Sequence, residues 1–299
     1  MIDDVYPTRG ASPAAIERRD PVVYWPDNPS TQMQRDDRLR RFERDGYLFL
    51  PELFFQGAAE ALHQEAENLR QYALRERPEI AFFEADSEAV RSVFAVHRHS
   101  EVFARACEEP KLLELVRSIL GDDVYVHQSR LNYKPAFKGR EFYWHSDFET
   151  WHAEDGMPRM RAVSLSVSLT PSLTTNGPLM VIPGSHKTFI SCVGETPNDH
   201  FRESLVQQQV GTPDEASLTD LANRRGVKAP TGGPGSALLF DCNTMHGSNG
   251  NITPFPRTNL FIVYNACSNR LASPFCGTSP RPEFIGAREH TATLPRAGR

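Results

Sequence analysis

The sequence has no excess of basic residues and no long apolar run. Its 33 Lys and Arg residues are outnumbered by 38 Asp and Glu residues, which gives a net charge of -5. Scattered basic residues do not form the patches that bind nucleic acid. No apolar stretch approaches the roughly 20 residues of a membrane span, and the polar first residues are unlike a secretory signal. We therefore expect a cytoplasmic protein that acts on a small molecule and binds neither nucleic acid nor membrane.

The chain also lacks paired cysteines, internal repeats and low-complexity tracts. Its five cysteines are odd in number and form no CxxC motif, which argues against a disulfide framework and against a zinc knuckle. Free cysteines are among the residues most often buried. We expect buried free thiols at Cys107, Cys192, Cys242, Cys267 and Cys276.

Helical periodicity dominates the first third of the chain. Residues 34–45 favour a helix, and residues 56–77 carry apolar side chains at helical spacing. Residues 100–120 also carry apolar side chains at helical spacing, with a break at Pro110. A short strand is expected at residues 47–50.

From residue 124 the periodicity changes to two. Residues 163–169 alternate apolar and hydroxyl side chains, so the two kinds face opposite sides of a sheet, and the serine side could line a wet cavity. Further strands are expected at residues 124–133, 179–182, 236–240 and 259–264. Many short strands predict an α+β fold with a mainly β core, a double-stranded β-helix (jelly roll, cupin-like) with supporting N-terminal helices.

We expect a single domain over residues 1–299. Residues 1–123 would form mainly helical support, residues 124–270 the jelly-roll core, and residues 271–299 a C-terminal segment. Residues 188–229 are polar, weakly periodic and long for a connection in a compact domain. Two interpretations of that segment stay open, a possible lid over a site and an ordinary excursion on the surface.

An HxD motif, His145 and Asp147, carries the main chemical signal. On an extended segment this spacing points both side chains to the same face. A third ligand would complete the two-histidine, one-carboxylate facial triad, which leaves three coordination positions open. His246 is the best candidate because it follows the expected strand 236–240. An isolated HxD motif is weak evidence for a metal site, so the residues around the motif decide whether it indicates one.

Arg257 opens the strand that follows His246, and its guanidinium suits the distal carboxylate of 2-oxoglutarate as a bidentate partner. The alternative for Arg257 is a surface cation at a strand end. His127, His152 and His186 lack partners at metal spacing. We interpret them as hydrogen-bonded structural histidines, with a role in orienting the metal site as the alternative.

The motif region resembles a known family. Residues 142–158, FYWHSDFETWHAEDGMP, are similar to the signature stretch of ectoine hydroxylases, which belong to the phytanoyl-CoA hydroxylase-like superfamily of iron(II)/2-oxoglutarate-dependent dioxygenases. Residues 4–9, 20–23, 127–134 and 183–187 also resemble segments of that family. The resemblance covers nearly the whole chain, except that residues 188–229 have no residue-by-residue match.

The resemblance implies hydroxylation of ectoine to 5-hydroxyectoine, a compatible solute in osmotic stress protection, with release of succinate and CO2. It implies Fe(II) as cofactor, 2-oxoglutarate and O2 as co-substrates, and a homodimer. By motif, His145, Asp147 and His246 would bind iron and carry catalysis, while Lys134, Arg257, Asn132 and Ser248 would bind 2-oxoglutarate. Ectoine would contact Gln128, Trp151, Phe94, Arg130, Phe240, Phe261 and Arg281.

Ectoine carries a delocalised amidinium and a carboxylate, so its pocket needs aromatic faces for the cation and donors for the anion. Each cation-aromatic contact gives roughly 0.5 to 2 kcal/mol. The alternative for the phenylalanines is that they belong to the core. Two other functions stay open: the same chemistry on another small zwitterion such as proline, and a non-catalytic solute- or metal-binding protein on the same barrel.

Overall fold

The chain is built from antiparallel sheets with helices concentrated in the N-terminal third. The structure, a computed structural model, describes residues 3–296 except residues 86, 198 and 206–209. In chain order, β1 to β12 are Ala14–Glu17, Tyr47–Leu50, Ala81–Phe83, Val90–Phe94, Val124–Lys134, Phe142–His145, Ala162–Ser168, Leu179–Val181, Thr188–Ser191, Ala237–Asp241, His246–Ser248 and Arg257–Ala266.

Helices occupy the three segments that were expected to be helical, and others lie outside those segments. In chain order, α1 to α9 are Thr31–Arg35, Asp37–Asp45, Gln56–Glu76, Val96–His99, Glu101–Cys107, Pro110–Leu120, Asp147–Thr150, Phe201–Ser204 and Glu215–Arg225. A π-helix spans Trp151–Asp155 and a short 3-10 helix spans Ser185–Lys187. The break at Pro110 is confirmed, since proline occupies the first turn of α6, where its missing N–H has no helical partner to lose.

Two sheets face each other across the centre of the molecule. The large sheet has the strand order β2-β10-β7-β12-β5-β4-β3, the small sheet has the order β6-β11-β8, and β1 pairs separately with β9. Apolar residues of β8, Leu179 and Val181, pack against Leu238 and Phe240 of β10. This double-sheet arrangement with N-terminal helices confirms the predicted α+β jelly-roll architecture.

Strand β7 shows why the two sides of the large sheet differ. Val163, Leu165 and Val167 belong to the core that the sheet shares with the N-terminal helices. The serines between them face the small sheet, where Ser164 donates a hydrogen bond of 2.7 Å to Asp147. The predicted two-faced strand is therefore confirmed, and its polar side faces the candidate site.

The expected helix at 34–45 is wrong as one element. It divides at Asp36, whose side chain accepts a hydrogen bond from Arg38 N and caps a new helix, α2. Helix α2 ends at Gly46, which has φ of 79°, and a Cβ there would lie 2.3 Å from the His186 ring. Glycine is required at this position on both counts.

Residues 188–229 contain more structure than their weak periodicity indicated. Within the described residues they form β9, α8 and α9. The part of the lid hypothesis that concerns residues 198 and 206–209 lies outside the described residues. No helix of the described chain has the length and apolar character to cross a membrane.

The five cysteines are free thiols, as expected. Burial is confirmed for Cys107, Cys192 and Cys242. It is wrong for Cys267 and Cys276, which are half-buried because both lie beyond the end of β12, outside the packed strands.

Candidate metal centre and substrate cavity

Three predicted metal ligands meet beside the small sheet. His145 ends β6 and His246 begins β11, and the two residues are paired in register. Asp147 Oδ1 lies 3.7 Å from Nε2 of His145 and 3.8 Å from Nε2 of His246. One ligand atom from each residue lies within 4.8 Å of the others. Two imidazoles and one carboxylate are the donor set of a facial triad.

The HxD motif does not lie on one extended segment, as the spacing had suggested. Ser146 has extended backbone angles, and its side chain accepts a hydrogen bond from Glu149 N, which caps helix α7. Asp147 is therefore the first helical residue. The turn from strand to helix, rather than strand alternation, brings its carboxylate toward His145.

Hydrogen bonds fix both imidazoles with Nε2 facing the carboxylate. Nδ1 of His145 lies 2.7 Å from the Tyr143 carbonyl oxygen, and Nδ1 of His246 lies 2.9 Å from the Thr244 carbonyl oxygen. A carbonyl can only accept, so Nδ1 carries the proton and Nε2 keeps its lone pair for a metal. Burial, with a smaller contribution from His246, lowers the pKa of His145 to about 3, so its ring is neutral.

Asp147 is held in its ionised form. Burial by itself would raise the pKa of this carboxyl, but His246, His145, Arg130 and the Ser164 hydroxyl together lower the pKa below its usual value. A buried carboxylate beside two lone pairs fits a divalent cation.

Predicted site residues occupy one face of β5 and its neighbour β12. Positions 128, 130, 132 and 134 alternate along β5, and their register partners on β12 are Val263, Phe261, Asn259 and Arg257. Because side chains repeat every two residues, all four predicted β5 residues lie on the same face of the sheet. The pairing places Lys134 directly beside Arg257.

Lys134 and Arg257, here called the cation pair, are buried with no carboxylate in salt-bridge contact among the described residues. Lys134 Nζ donates to Ser248 Oγ at 2.8 Å and to the Asn249 carbonyl oxygen. Burial, together with Arg257, lowers the pKa of Lys134 to about 6. Burial lowers the pKa of Arg257 to about 10, and its Nε has no partner in the described chain. Two buried basic side chains without a carboxylate partner among the described residues favour binding of an anion.

A cavity opens above the metal ligands. It is bounded by four of the predicted substrate residues and by four others that had no predicted role, and the full set is Gln128, Arg130, His145, Asp147, Thr150, Trp151, Glu154, Leu205, Val210 and Arg281. Gln128 donates to the Ile285 carbonyl oxygen at 2.6 Å, which anchors its amide at the wall.

The remaining predicted residues lie behind this wall or beside the cation pair. Phe94 and Phe261 lie 5.8 and 5.1 Å from the Arg130 guanidinium, and the Phe240 ring centroid is 4.8 Å from that of His246. Asn132 accepts a 2.8 Å hydrogen bond from Ser92. Phe94 and Phe240 are fully buried, so they support the site's charged groups from behind.

The segment after Asp147 is fastened to the N-terminus by a buried charge network of five residues: Arg9, Glu149, Glu154, Asp155 and Arg281. Arg9 donates to both oxygens of Glu149 at 2.7 and 2.9 Å and to Glu154 at 3.0 Å. Arg281 donates to both oxygens of Asp155 at 2.8 and 2.6 Å. The π-helix carries Trp151, Glu154 and Asp155 toward the cavity. Such helices often occur at functional sites.

Three further histidines considered in the sequence, His127, His152 and His186, do not belong to the metal cluster among the described residues. His152 bonds to the Met157 carbonyl and to Asp4, and His186 bonds to the Glu43 carbonyl, which matches the structural interpretation. The hydrogen-bonded interpretation is wrong for His127, whose buried ring nitrogens have no hydrogen-bond partner among the described residues. Its Nε2 lies 3.5 Å from Asp155, and its ring is edge-on to Trp151, with ring centroids 5.2 Å apart. His127 thus supports the cavity wall.

Sequence reasoning gave no role to Glu154, Thr150 or Arg9. Glu154 and Thr150 belong to the motif stretch 142–158, so their presence in that stretch was a usable signal. Arg9 is 140 residues from Glu149, and no local pattern predicts that contact.

Comparisons with known proteins agree with this site. Residues 42–259 match the family model Phytanoyl-CoA dioxygenase (PhyH). Ectoine dioxygenase from Sphingopyxis alaskensis is 52% identical over 98% of this chain and 96% of that protein. Two crystal structures of EctD from S. alaskensis superpose with a TM-score of 0.86. One, with 2-oxoglutarate and 5-hydroxyectoine, is 47% identical and covers 99% of both chains. The other, with bound Fe, is 48% identical over 99% of this chain and 98% of that one.

Proposed function

Since this chain belongs to the phytanoyl-CoA dioxygenase family, we propose that it is an iron(II)- and 2-oxoglutarate-dependent dioxygenase that hydroxylates ectoine to 5-hydroxyectoine, releasing succinate and CO2. The observation that carries this function is the cluster of His145, Asp147 and His246 at a buried cavity, together with a cation pair that has no carboxylate partner among the described residues. Fe(II), 2-oxoglutarate and O2 are the groups that this site uses.

We propose the three clustered residues as the iron ligands. Their fit rests on the neutral Nε2 lone pairs, the ionised carboxylate and the burial of all three. Iron at this position supplies the activation of O2 that hydroxylation of a C–H bond requires. The chain itself holds the ligands in place, through the Tyr143 and Thr244 carbonyls and the Ser164 hydroxyl, and excludes bulk water.

We propose that the cation pair binds the distal carboxylate of 2-oxoglutarate, with Ser248 and Asn132 beside it. Arg257 offers a fork of donors and Lys134 a point charge, and the two are adjacent in register. The distal carboxylate would provide the counter-charge that both side chains lack among the described residues. This favours binding of 2-oxoglutarate with its distal carboxylate toward Lys134 and Arg257.

Binding of 2-oxoglutarate should weaken as pH rises above 6. The pKa of Lys134 is lowered to about 6, so the free amine is mostly neutral at pH 7.5, and binding of a carboxylate beside it takes up one proton. The affinity should fall by up to about tenfold per pH unit between pH 6.5 and 8. Anaerobic calorimetry in two buffers of different ionisation enthalpy counts the protons. Lys134→Met should remove the dependence, and a pH-independent wild-type affinity would contradict the assignment.

We propose that the ring of ectoine lies between Trp151, Gln128, Arg130 and Arg281. These side chains share the cavity with His145 and Asp147, so a small solute there would lie next to the metal. The proposed role of Phe94, Phe240 and Phe261 is to hold Arg130 and His246 in position.

Trp151→Ala should impair ectoine turnover while sparing iron binding. The indole is 3% exposed and lines the cavity, so its removal takes away an aromatic face for the amidinium and leaves space for water. We expect kcat/KM for ectoine to fall about 10- to 100-fold, from a loss of roughly 0.5 to 2 kcal/mol for the cation-aromatic contact and more for lost packing. Steady-state kinetics measures the loss of ectoine turnover, and the bound-iron content measures whether iron binding is retained. Unchanged ectoine affinity would exclude Trp151 from the pocket.

Anaerobic reconstitution with iron(II), 2-oxoglutarate and ectoine, followed by air and mass spectrometry of the solute, tests the function directly. We expect a gain of one oxygen atom and one succinate per hydroxylated ectoine. Equal succinate formation with proline would indicate a different zwitterion as substrate. Metal binding without succinate formation would indicate a non-catalytic protein.

We also propose that the chain works as a single-domain homodimer in the cytoplasm, with residues 188–229 covering the cavity. The lid role is supported by Leu205 and Val210, which belong to that segment and line the cavity. Ectoine dioxygenase from S. alaskensis matches this chain over 98% of its length, which supports one catalytic unit. Light scattering of the purified chain measures the oligomeric state.

A further inference from the structure

The cavity carries a buried guanidinium on one wall. Arg130 lines the cavity, and within the described residues no carboxylate lies within salt-bridge distance of its guanidinium, so Asp147 acts on it only at longer range. Its buried Nε has no hydrogen-bond partner in that part of the chain. The rings of Phe94 and Phe261 flank the guanidinium, and they hold it without neutralising it. A buried cation without a partner is costly unless a ligand supplies the anion.

Another wall of the cavity carries the opposite charge. Glu154 lines the cavity with a side chain that is 4% exposed. One of its oxygens accepts a 3.0 Å hydrogen bond from Arg9. The other lies 3.8 Å from Arg281, which is within ion-pair distance but too long for a hydrogen bond, and no hydrogen-bond donor in the described chain is bonded to it.

The charge network around Glu154 has one carboxylate more than it has guanidinium groups. Arg9 is matched by the bidentate Glu149, and Arg281 is matched by the bidentate Asp155. Glu154 is therefore the carboxylate of this network without a bidentate guanidinium partner, buried at the cavity wall with one oxygen that accepts no hydrogen bond in the described chain. The cost of that burial falls when a cation lies against it.

We propose that Glu154 is a specificity-determining residue that binds the cationic end of the substrate, while Arg130 binds the carboxylate end. The cavity then presents one negative and one positive wall to a small zwitterion, and the two contacts fix which ring carbon faces His145 and Asp147. This role rests on the proposed function, which supplies ectoine as the zwitterion.

Two cyclic acids that differ in ring charge test the role of Glu154. Proline carries a cationic ring nitrogen, and pyroglutamate, of the same ring size, carries a neutral amide. Binding of ectoine, proline and pyroglutamate to the iron(II) and 2-oxoglutarate complex is measured by anaerobic calorimetry. The wild-type chain should bind ectoine far more tightly than pyroglutamate, and proline more tightly than pyroglutamate. Glu154→Gln, which keeps shape and removes charge, should weaken ectoine binding about 10- to 100-fold and leave pyroglutamate binding unchanged.

Asp20→Asn is the matched control, because Asp20 is a buried carboxylate bonded to Arg159 and does not line the cavity. It should leave ectoine affinity within twofold. An unchanged affinity ratio in Glu154→Gln would overturn the proposal, and so would a wild-type chain that binds proline and pyroglutamate equally, even if the variant fails to fold. A wild-type chain that forms no succinate with ectoine contradicts the proposed function instead, and the proline and pyroglutamate comparison still decides the role of Glu154.

Discussion

Asp147→Ala should abolish iron retention and ectoine turnover. Asp147 is the only carboxylate in the cluster, and its Oδ1 lies within 3.8 Å of both imidazole Nε2 atoms. Loss of a residue that merely orients a ligand typically costs 10- to 100-fold in metal affinity or activity. Loss of the ligand itself should cost more than about 100-fold. Metal content after gel filtration and ectoine-dependent succinate formation measure the two effects.

His145→Ala and His246→Ala should behave in the same way, since each removes one of the two neutral nitrogen donors. Asp220→Ala is a suitable control, because it removes an exposed carboxylate whose ion-pair partner among the described residues is Arg224 in α9. It should keep full iron content and activity. Full activity in any one of the three ligand variants would remove that residue from the triad.

The fold could be predicted where periodicity is strong. The alternation in β7 follows from an apolar core on one face and a polar site on the other, although both faces are buried. The helical spacing in α3 follows from burial on one face, and both features leave a local pattern in sequence. Strands such as β6 and β11 are only four and three residues long, and no pattern of period two is readable over that length. Their pairing joins residues about 100 apart, as in His145 with His246, and is set by the whole sheet.

The candidate site shows the same difference between features with a local pattern and features that depend on distant parts of the chain. His145 and Asp147 were singled out because their residue types follow from the coordination chemistry, although the turn into α7 rather than strand spacing brings them together. Arg257 was singled out because a guanidinium suits recognition of a carboxylate. Glu154 could not be assigned, because its role depends on a charge balance that Arg9 and Arg281 create from both ends of the chain. Sequence shows neither which acid is matched by an arginine nor which faces a cavity.

Arg257→Gln should weaken 2-oxoglutarate binding strongly without destabilising the ligand-free protein. The Arg257 guanidinium is buried, donates only to Asn259 Oδ1 at 2.9 Å among the described residues, and has no carboxylate partner there. Glutamine keeps a donor near Asn259 and removes an uncompensated buried charge, so the free energy of unfolding should stay equal or rise. Removing one partner of a buried charge pair costs about 2 to 5 kcal/mol, so KM for 2-oxoglutarate should rise on the order of 100-fold.

Arg257→Lys separates charge from geometry. Lysine keeps the positive charge but cannot form the fork that holds a carboxylate by two parallel bonds, so we expect an intermediate rise in KM of about 10-fold. Thermal unfolding without ligand and kinetics at varied 2-oxoglutarate concentration distinguish the outcomes. If Arg257 were a structural cation, Arg257→Gln would lower the melting temperature and leave KM for 2-oxoglutarate unchanged. We expect instead an unchanged or higher melting temperature and a raised KM, because no carboxylate of the described residues pairs with Arg257 and a bound anion would supply the missing charge.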